Sequence, residues 1–246
     1  MNIKLINIQK RYDETVALRD INLEIKAGES ISVMGPSGSG KSSLVNLIAG
    51  TRKITEGEVE YNGNIVDNKT KKKVIKKEAS TIKITFQNPN LQIFTKTVFD
   101  EFMFPLRNLG KHEDEASMIA NVFIDKLGLT HLKDRQPHTL SSGEKRKVVL
   151  GSLLVMDPEV IIVDEPTAFL DEKSVEEFKD ILNGLNKEGK TIIVVTHDVD
   201  FAKAVSTRTI IINDGSIVED GSTENILSDE KILIENKLKY GDNNGN

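Results

Sequence analysis

Eight consecutive residues constrain this chain more than anything else in it: Gly35, Pro36, Ser37, Gly38, Ser39, Gly40, Lys41 and Ser42. They follow an apolar run, Ile31-Ser-Val-Met34, and precede Leu44, Val45, Leu47 and Ile48, which keep helical spacing up to Gly50, a residue suited to ending a helix. Strand, glycine-rich loop and helix in that order let backbone N–H groups close around phosphate oxygens while the positive helix end points at them. Lys41 then neutralises the β and γ oxygens, and Ser42 places its hydroxyl on Mg²⁺, a hard cation that binds alongside nucleotide phosphates. Ser43 is grouped with the same nucleotide-binding loop. Alone, the loop establishes phosphate binding and leaves the enzyme class open.

A second apolar run, Val160-Ile-Ile-Val163, ends in Asp164 and Glu165, so two carboxylates emerge at a strand's carboxyl end, where α/β sheets hold ligands. Asp164 is suited to the surroundings of the metal, and Glu165 to polarising the water that attacks a γ-phosphate. Ile192-Ile-Val-Val195 is another unbroken branched run, as expected of parallel strands buried on both faces. Between these runs Val175, Phe178, Ile181, Leu182 and Leu185 form the stripe of a crossover helix.

The rest of the chain divides by periodicity. Ile3, Leu5, Ile8, Leu18, Ile21, Leu23 and Ile25 have near-alternating polar partners, predicting a β-rich start, and Asn62-Gly63 predicts a hairpin turn. From Gln87 to about Met156 the spacing is helical, with Ile119, Val122, Phe123 and Leu127 as the apolar stripe of one helix. The expected fold is therefore α/β with a helical insertion. The lysines at 69, 71, 72, 73, 76 and 77 read as a solvated face, and the final Gly-Asp-Asn-Asn-Gly-Asn as a frayed tail.

Composition narrows the class further. A formal net charge of -5 argues against general nucleic-acid coating, and the absence of cysteine excludes disulfides, thiolate metal sites and a cysteine nucleophile. The amino terminus lacks the pattern of a secretory signal, and no apolar run approaches the roughly 18 residues that cross a bilayer. If a membrane is involved, another chain supplies it.

Leu140-Ser-Ser-Gly-Glu144, upstream of the acidic strand, resembles the LSGGQ signature of ABC ATPases, and the likeness runs from about Leu5 to Gly221. The resemblance implies ATP and Mg²⁺ as ligands and a phosphate-loop NTPase fold of the ABC ATPase kind. That fold has an N-terminal antiparallel β subdomain and an inserted helical subdomain carrying the signature. It implies an ATPase domain over 1–230, with the nucleotide-binding core at about 1–86 and 157–221 and the helical part at about 87–156; 231–246 is a helix end and flexible tail. Tyr12 would stack on adenine, Gln87 would link nucleotide to a transmembrane partner and help hold the metal with Ser42 and Asp164, the Ala168 to Asp171 loop would cross a dimer, and His197 would sense the γ-phosphate. Singly, these residues also read as a surface strand residue, a loop amide, a helix cap and a satisfied histidine. The catalytic set is Glu165, His197, Gln87 and Lys41. Ser141 and Gly143 would meet the γ-phosphate held by a second ABC ATPase subunit, identical or different. Two positions depart from the family: Ser142 adds a side chain where backbone must approach closely, and Glu144 adds an anion near other anions.

Phe86-Gln-Asn-Pro-Asn-Leu-Gln-Ile-Phe94, Thr97-Val98-Phe-Asp-Glu101 and Pro137-His-Thr-Leu140 are similar to the ATPase subunits of energy-coupling-factor and cobalt-type importers. That resemblance implies a peripheral place on the cytoplasmic face of the membrane and a transmembrane subunit whose coupling helix enters a groove, with Leu91, Ile93 and Phe94 as candidate lining. It also implies a separate membrane protein that captures the substrate, a vitamin or a metal ion, and no nucleic-acid partner. Besides the ATPase of another ABC importer or exporter class, the rival reading is a soluble ABC ATPase acting in cofactor assembly or on DNA or ribosomes. It shares every nucleotide residue, but the interval from Lys41 to Ser141 carries no sustained heptads and the chain has one phosphate loop.

Overall fold

Alternating burial along β1 (Ile3–Tyr12) and β2 (Thr15–Ile25) leaves each strand one apolar face, and the two pair antiparallel. With β4 (Glu56–Tyr61) and β5 (Asn64–Asp67) they form a four-stranded sheet of order β2-β1-β4-β5. Asn62 and Gly63 join β4 to β5 with φ of 48° and 88°, the pair of positive angles that a tight hairpin requires and that these residue types tolerate. The computed structural model describes residues 1–239; the expected frayed tail, Gly241 to Asn246, lies outside the described residues.

The second sheet has the order β10-β9-β3-β8-β7-β6. It comprises β3 (Ser30–Met34), β6 (Ile82–Thr85), β7 (Val160–Asp164), β8 (Thr191–Val195), β9 (Arg208–Asn213) and β10 (Ser216–Ser222). The first five run parallel and β10 closes the edge antiparallel to β9. Every residue of β3 and β8 is buried, as is β7 up to Val163, which is why these strands read as unbroken apolar runs. Helix α1 (Lys41–Ile48) places Leu44, Val45, Leu47 and Ile48 in a core shared by both sheets. Arg208 adds a polar tie: it forks onto Asp220 at 2.7 and 2.8 Å and donates to the Glu24 carbonyl at 2.9 Å, joining β9, β10 and β2. The lysine cluster lies around α2 (Lys72–Glu78), where Ile75 alone is buried and the lysines are exposed.

Between β6 and β7 the chain is helical: α3 (Val98–Asn108), α4 (Glu113–Lys126) and α5 (Ser142–Leu154) surround their own apolar cluster. The inward face of α4 differs from the sequence expectation, because Ala116, Ala120 and Ile124 are buried while Val122 is 63% exposed. Small alanines let the helix approach α3, and a reading weighted to large side chains misses that face. Gly151 serves the same end in α5, where a Cβ would stand 2.3 Å from the Phe102 ring. Helix α6 (Glu172–Lys187) crosses from β7 to β8 with Phe178, Leu182 and Leu185 inward. Three short helices, α7 (Val199–Val205), α8 (Thr223–Ser228) and α9 (Glu230–Glu235), complete the described chain. None of the described helices is long and apolar enough to cross a membrane.

Candidate functional site

Pairing register brings the predicted residues to one sheet edge. Val33 lies beside Val195, Val195 beside Asp164, and Val163 beside Thr85. Four adjacent strands, β3, β8, β7 and β6, therefore end in one row, and from it emerge in turn the Gly35 loop, His197, the Asp164-Glu165 pair and Gln87.

The loop is held in shape by close packing. At Gly35, with φ 138°, a Cβ would meet the Ile212 carbonyl oxygen of β9 at 2.0 Å; at Gly40, with φ 112°, one would meet the Ala17 oxygen of β2 at 2.6 Å. Only glycine fits either place. Ser37 and Gly38 are exposed, Pro36 is half-buried, and Ser39 is buried with its hydroxyl lacking a hydrogen-bond partner among the described residues. Lys41 folds back, donating to the Gly35 and Pro36 carbonyls at 2.8 Å each. Gly40 caps α1 without any side-chain hydrogen bond, and the first turn, with Ser42 exposed and Ser43 half-buried, holds no acidic residue. Uncapped N–H groups, an orphan hydroxyl and a lysine at the positive end of a helix form an anion cradle. Tyr12 is 40% exposed at the end of the β1–β2 hairpin, whose second strand packs on Gly40, and Lys10 sits 4.7 Å from the centre of its ring.

Across from the loop, burial and the neighbouring Glu165 push the Asp164 carboxyl up to about 6, with Lys41 opposing. Burial in turn lowers the Lys41 ammonium, opposed by Glu165 and Asp164. The three groups thus carry charge that a bound cation and a phosphate chain would rearrange. Glu165 adopts φ 47°, a left-handed conformation rare outside glycine, and is held there by its N–H to the Val195 oxygen at 2.8 Å. Its Oε2 lies 2.9 Å from His197 Nδ1. This pairing bears on the γ-phosphate sensing expected of His197: with Nδ1–H given to Glu165, Nε2 of the neutral ring is an acceptor. Donation to a phosphate oxygen then requires the imidazolium or release from Glu165.

The signature lies at the start of α5. Ser141 caps the helix, and Glu144 closes a capping box by accepting from the Ser141 N–H and hydroxyl, each at 2.8 Å. The Glu144 carboxylate is thus turned onto its own helix end, which satisfies the anion expected from sequence to lie among other anions. Ser142 occupies the first exposed helical position. Gly143 has an intrachain reason to be glycine, since a Cβ would meet Ser174 Oγ at 2.6 Å. Ser174 belongs to the first turn of α6, capped by Asp171, whose Oδ1 accepts from the Ser174 N–H at 2.8 Å. The Ser174 hydroxyl and then its N–H hold the Asp171 carboxyl below its usual range.

Gln87 opens the exposed segment after β6, in a turn fixed by Gln92, which accepts from the Phe86 N–H at 2.6 Å and donates to the Ile84 oxygen at 3.1 Å. Beyond it a cleft of about 400 Å³ is lined by Leu91, Phe94, Phe104, Pro105, Leu109 and Leu153 among others. Leu91, Phe94 and Leu109 are 74%, 61% and 59% exposed, whereas Ile93, a candidate for this lining, is only 4% exposed and packs inward. Sequence reading passed over three residues here. Glu101, buried, accepts from the Phe94 and Thr95 N–H groups at 2.7 and 2.6 Å. Arg146, also buried, reaches the Gln87 and Ala168 carbonyls. Phe169 projects from the loop before Asp171, 89% exposed at φ 62°. Arg146 lies within the charged run Glu144-Lys-Arg-Lys147 and Glu101 follows Asp100, so no pattern in the sequence marks either as buried.

A family model described as ABC transporter matches residues 18–168. A putative ABC transporter ATP-binding protein of Methanosarcina mazei is 38% identical over 221 residues, 90% of this chain but 48% of that protein, so the chain spans about half its length. The energy-coupling factor transporter ATP-binding protein EcfA of Methanocaldococcus jannaschii is 36% identical over 230 residues, 93% of this chain and 82% of that one. Among solved structures, cbiO1 from Clostridium perfringens, described as part of the ABC transporter complex cbiONQ, matches with a TM-score of 0.85 at 32% identity, over 97% of this chain and 95% of that chain. The ATP-binding cassette MJ0796, solved as a dimer in a post-hydrolysis state bound to ADP and Pi, matches with a TM-score of 0.81 at 32% identity, over 90% and 98%. With the phosphate loop, acidic strand and signature on one α/β scaffold, the chain belongs to the family of ABC ATPases, the ATP-binding subunits of ABC transporters.

Proposed function

We propose that this chain powers a membrane importer of the energy-coupling-factor type by binding and hydrolysing ATP between two cassettes. The observation that carries the importer reading is the preformed apolar cleft lined by Leu91 and Phe94, in the segment that follows Gln87. Phe94 and Phe104 meet edge to face at 4.7 Å in its wall, and Glu101 fixes the Phe94 backbone from below. An apolar opening that size on an otherwise charged subunit suits the apolar face of a helix offered by a membrane subunit.

In this reading the loop amides and Lys41 hold the phosphates, and Tyr12 stacks on the base. Ser42, Gln87 and Asp164 form an all-oxygen donor set of the kind Mg²⁺ prefers, and among the described residues no group of three or more His, Cys, Asp or Glu side chains would hold a metal unaided. These residues would hold the ion beside the phosphates, and when bound it would supply charge neutralisation along the phosphate chain. Glu165 accepts the proton of the attacking water, and His197 orients its carboxylate through Nδ1. Ser141, Gly143 and the loop ending at Asp171 face the nucleotide of the second cassette, identical or different. The imported substrate, a vitamin or a metal ion, is bound by a separate membrane protein.

Leu91→Asp combined with Phe94→Asp tests the reading. Purified from native membranes, the double variant is expected to lose its membrane subunits while the isolated chain keeps its ATP affinity. Undiminished co-purification would overturn the role of the cleft, and absence of any membrane subunit with the wild-type chain would overturn the importer reading. The ligand that accompanies the wild-type complex identifies the substrate class.

A further inference from the structure

Arg146 stands in the second turn of α5 and is only 6% exposed. Its Nη2 donates to the Ala168 carbonyl at 2.9 Å and to the Gln87 carbonyl at 3.2 Å, while Nε is buried without a partner among the described residues. Both recorded acceptors are main-chain oxygens from segments 59 and 22 residues away in sequence. A buried guanidinium costs heavily in desolvation, and neutral carbonyls return less of that than a bidentate carboxylate would. The charge that offsets its burial through space is Glu165. The segments it joins border a cavity of about 310 Å³, lined in part by Gln87, Ser142, Arg146, Ala168 and Phe169. Arg146 hydrogen-bonds both segments from the signature helix.

We infer that Arg146 is a positioning residue for hydrolysis: it ties the backbone of Gln87 and of the loop leaving Glu165 to the signature helix, so the hydrolytic groups keep their places only while α5 is seated. The inference rests on the reading of Glu165 and Gln87 as hydrolytic groups. A guanidinium suits the task, because its long rigid end carries one nitrogen, Nη2, to both acceptors while its charge favours the nearby carboxylate. Neither Arg146 hydrogen bond reaches the loop that holds the phosphates, so its removal is expected to change turnover and not affinity.

The test compares Arg146→Met and Arg146→Lys with the wild-type chain by steady-state turnover, fluorescent-nucleotide affinity and thermal melting. Arg146→Met is expected to lower kcat by about tenfold or more, equivalent to about 1.4 kcal/mol, with nucleotide Kd within about twofold of wild type. Arg146→Lys, which keeps the cation on a shorter side chain that lacks the planar guanidinium, is expected to fall between them, about threefold below wild type at unchanged KM. In single turnover, Arg146→Met is expected to add no further loss to Glu165→Gln, because both act on one step. Wild-type kcat in both Arg146 variants would overturn the inference, as would equal losses in the two backgrounds, or a change confined to KM. If Arg146→Met does not fold, the Lys variant decides alone: lowered kcat at unchanged KM supports the inference, and wild-type kcat overturns it. Wild-type turnover by Glu165→Gln is a distinct result, which removes the reading of Glu165 itself.

Discussion

Replacing Asp164 by Asn separates what this carboxyl does for hydrolysis from what it does to the fold. Burial and the adjacent Glu165 raise it from 3.8 to about 6, Lys41 notwithstanding. About two pH units at 1.36 kcal/mol each correspond to about 3 kcal/mol, and partial solvent access reduces this to about 2 kcal/mol. The sign follows from proton counting. Between pH 3.8 and 6 the folded chain retains a proton that the unfolded chain has lost, so stability falls as pH rises through this window, and the penalty is complete above it. The Asn variant has no charge to bury. Without nucleotide at pH 7.5 it is expected to be more stable than wild type by about 2 kcal/mol, which for a domain this size raises Tm by about 4–8 °C. The difference should vanish as the pH approaches 4, while ATP hydrolysis is lost at every pH. Melts at pH 4.5, 6 and 7.5 measure the gap directly. Equal or lower stability at pH 7.5, or a gap that does not change with pH, would refute the assignment of Asp164 as a carboxyl kept in strain for a cation.

Glu165→Gln retains an oxygen for the 2.9 Å contact with His197 but cannot accept a proton; it is expected to bind ATP normally with turnover reduced about 100-fold or more, and wild-type turnover would remove Glu165 from the base role. Gly151→Ala forces a methyl to within 2.3 Å of the Phe102 ring, and denaturant unfolding should show a loss of about 1–3 kcal/mol; an unchanged midpoint would mean that α3 and α5 are not packed as described. Glu101→Ala leaves the Phe94 and Thr95 N–H groups without their acceptor, costing about 2–4 kcal/mol by the same measurement, and Glu101→Gln, which keeps one carbonyl oxygen, should cost less.

The parts legible before the fold was seen were those that depend on neighbours along the chain. The Gly35 loop, the Asn62-Gly63 turn and the buried runs before Asp164 and Thr196 each declare themselves because backbone conformation and side-chain period act over a few residues. The same local logic failed where contact with a distant element decided the outcome. Ile93 turned inward and Val122 outward, neither of which a pattern of apolar and charged residues records. Glu101 and Arg146 escaped notice for the same reason, since their acceptors and donors are backbone groups that become neighbours only on folding.

Residue order along the chain was thus enough to declare a phosphate cradle, a pair of strand-end carboxylates and a signature segment, because each is written in a short run with its own conformational demand. It did not contain the order of strands. Along the chain β3 is followed by β6, β7 and then β8, yet β8 inserts between β3 and β7, and that insertion puts His197 between the phosphate loop and Glu165. Strand order is set by long-range pairing and by crossover helices packing on the sheet, forces that act between segments more than a hundred residues apart. The Gly35 cradle is a local property of this chain; the site built around it exists only once the sheet has chosen its neighbours.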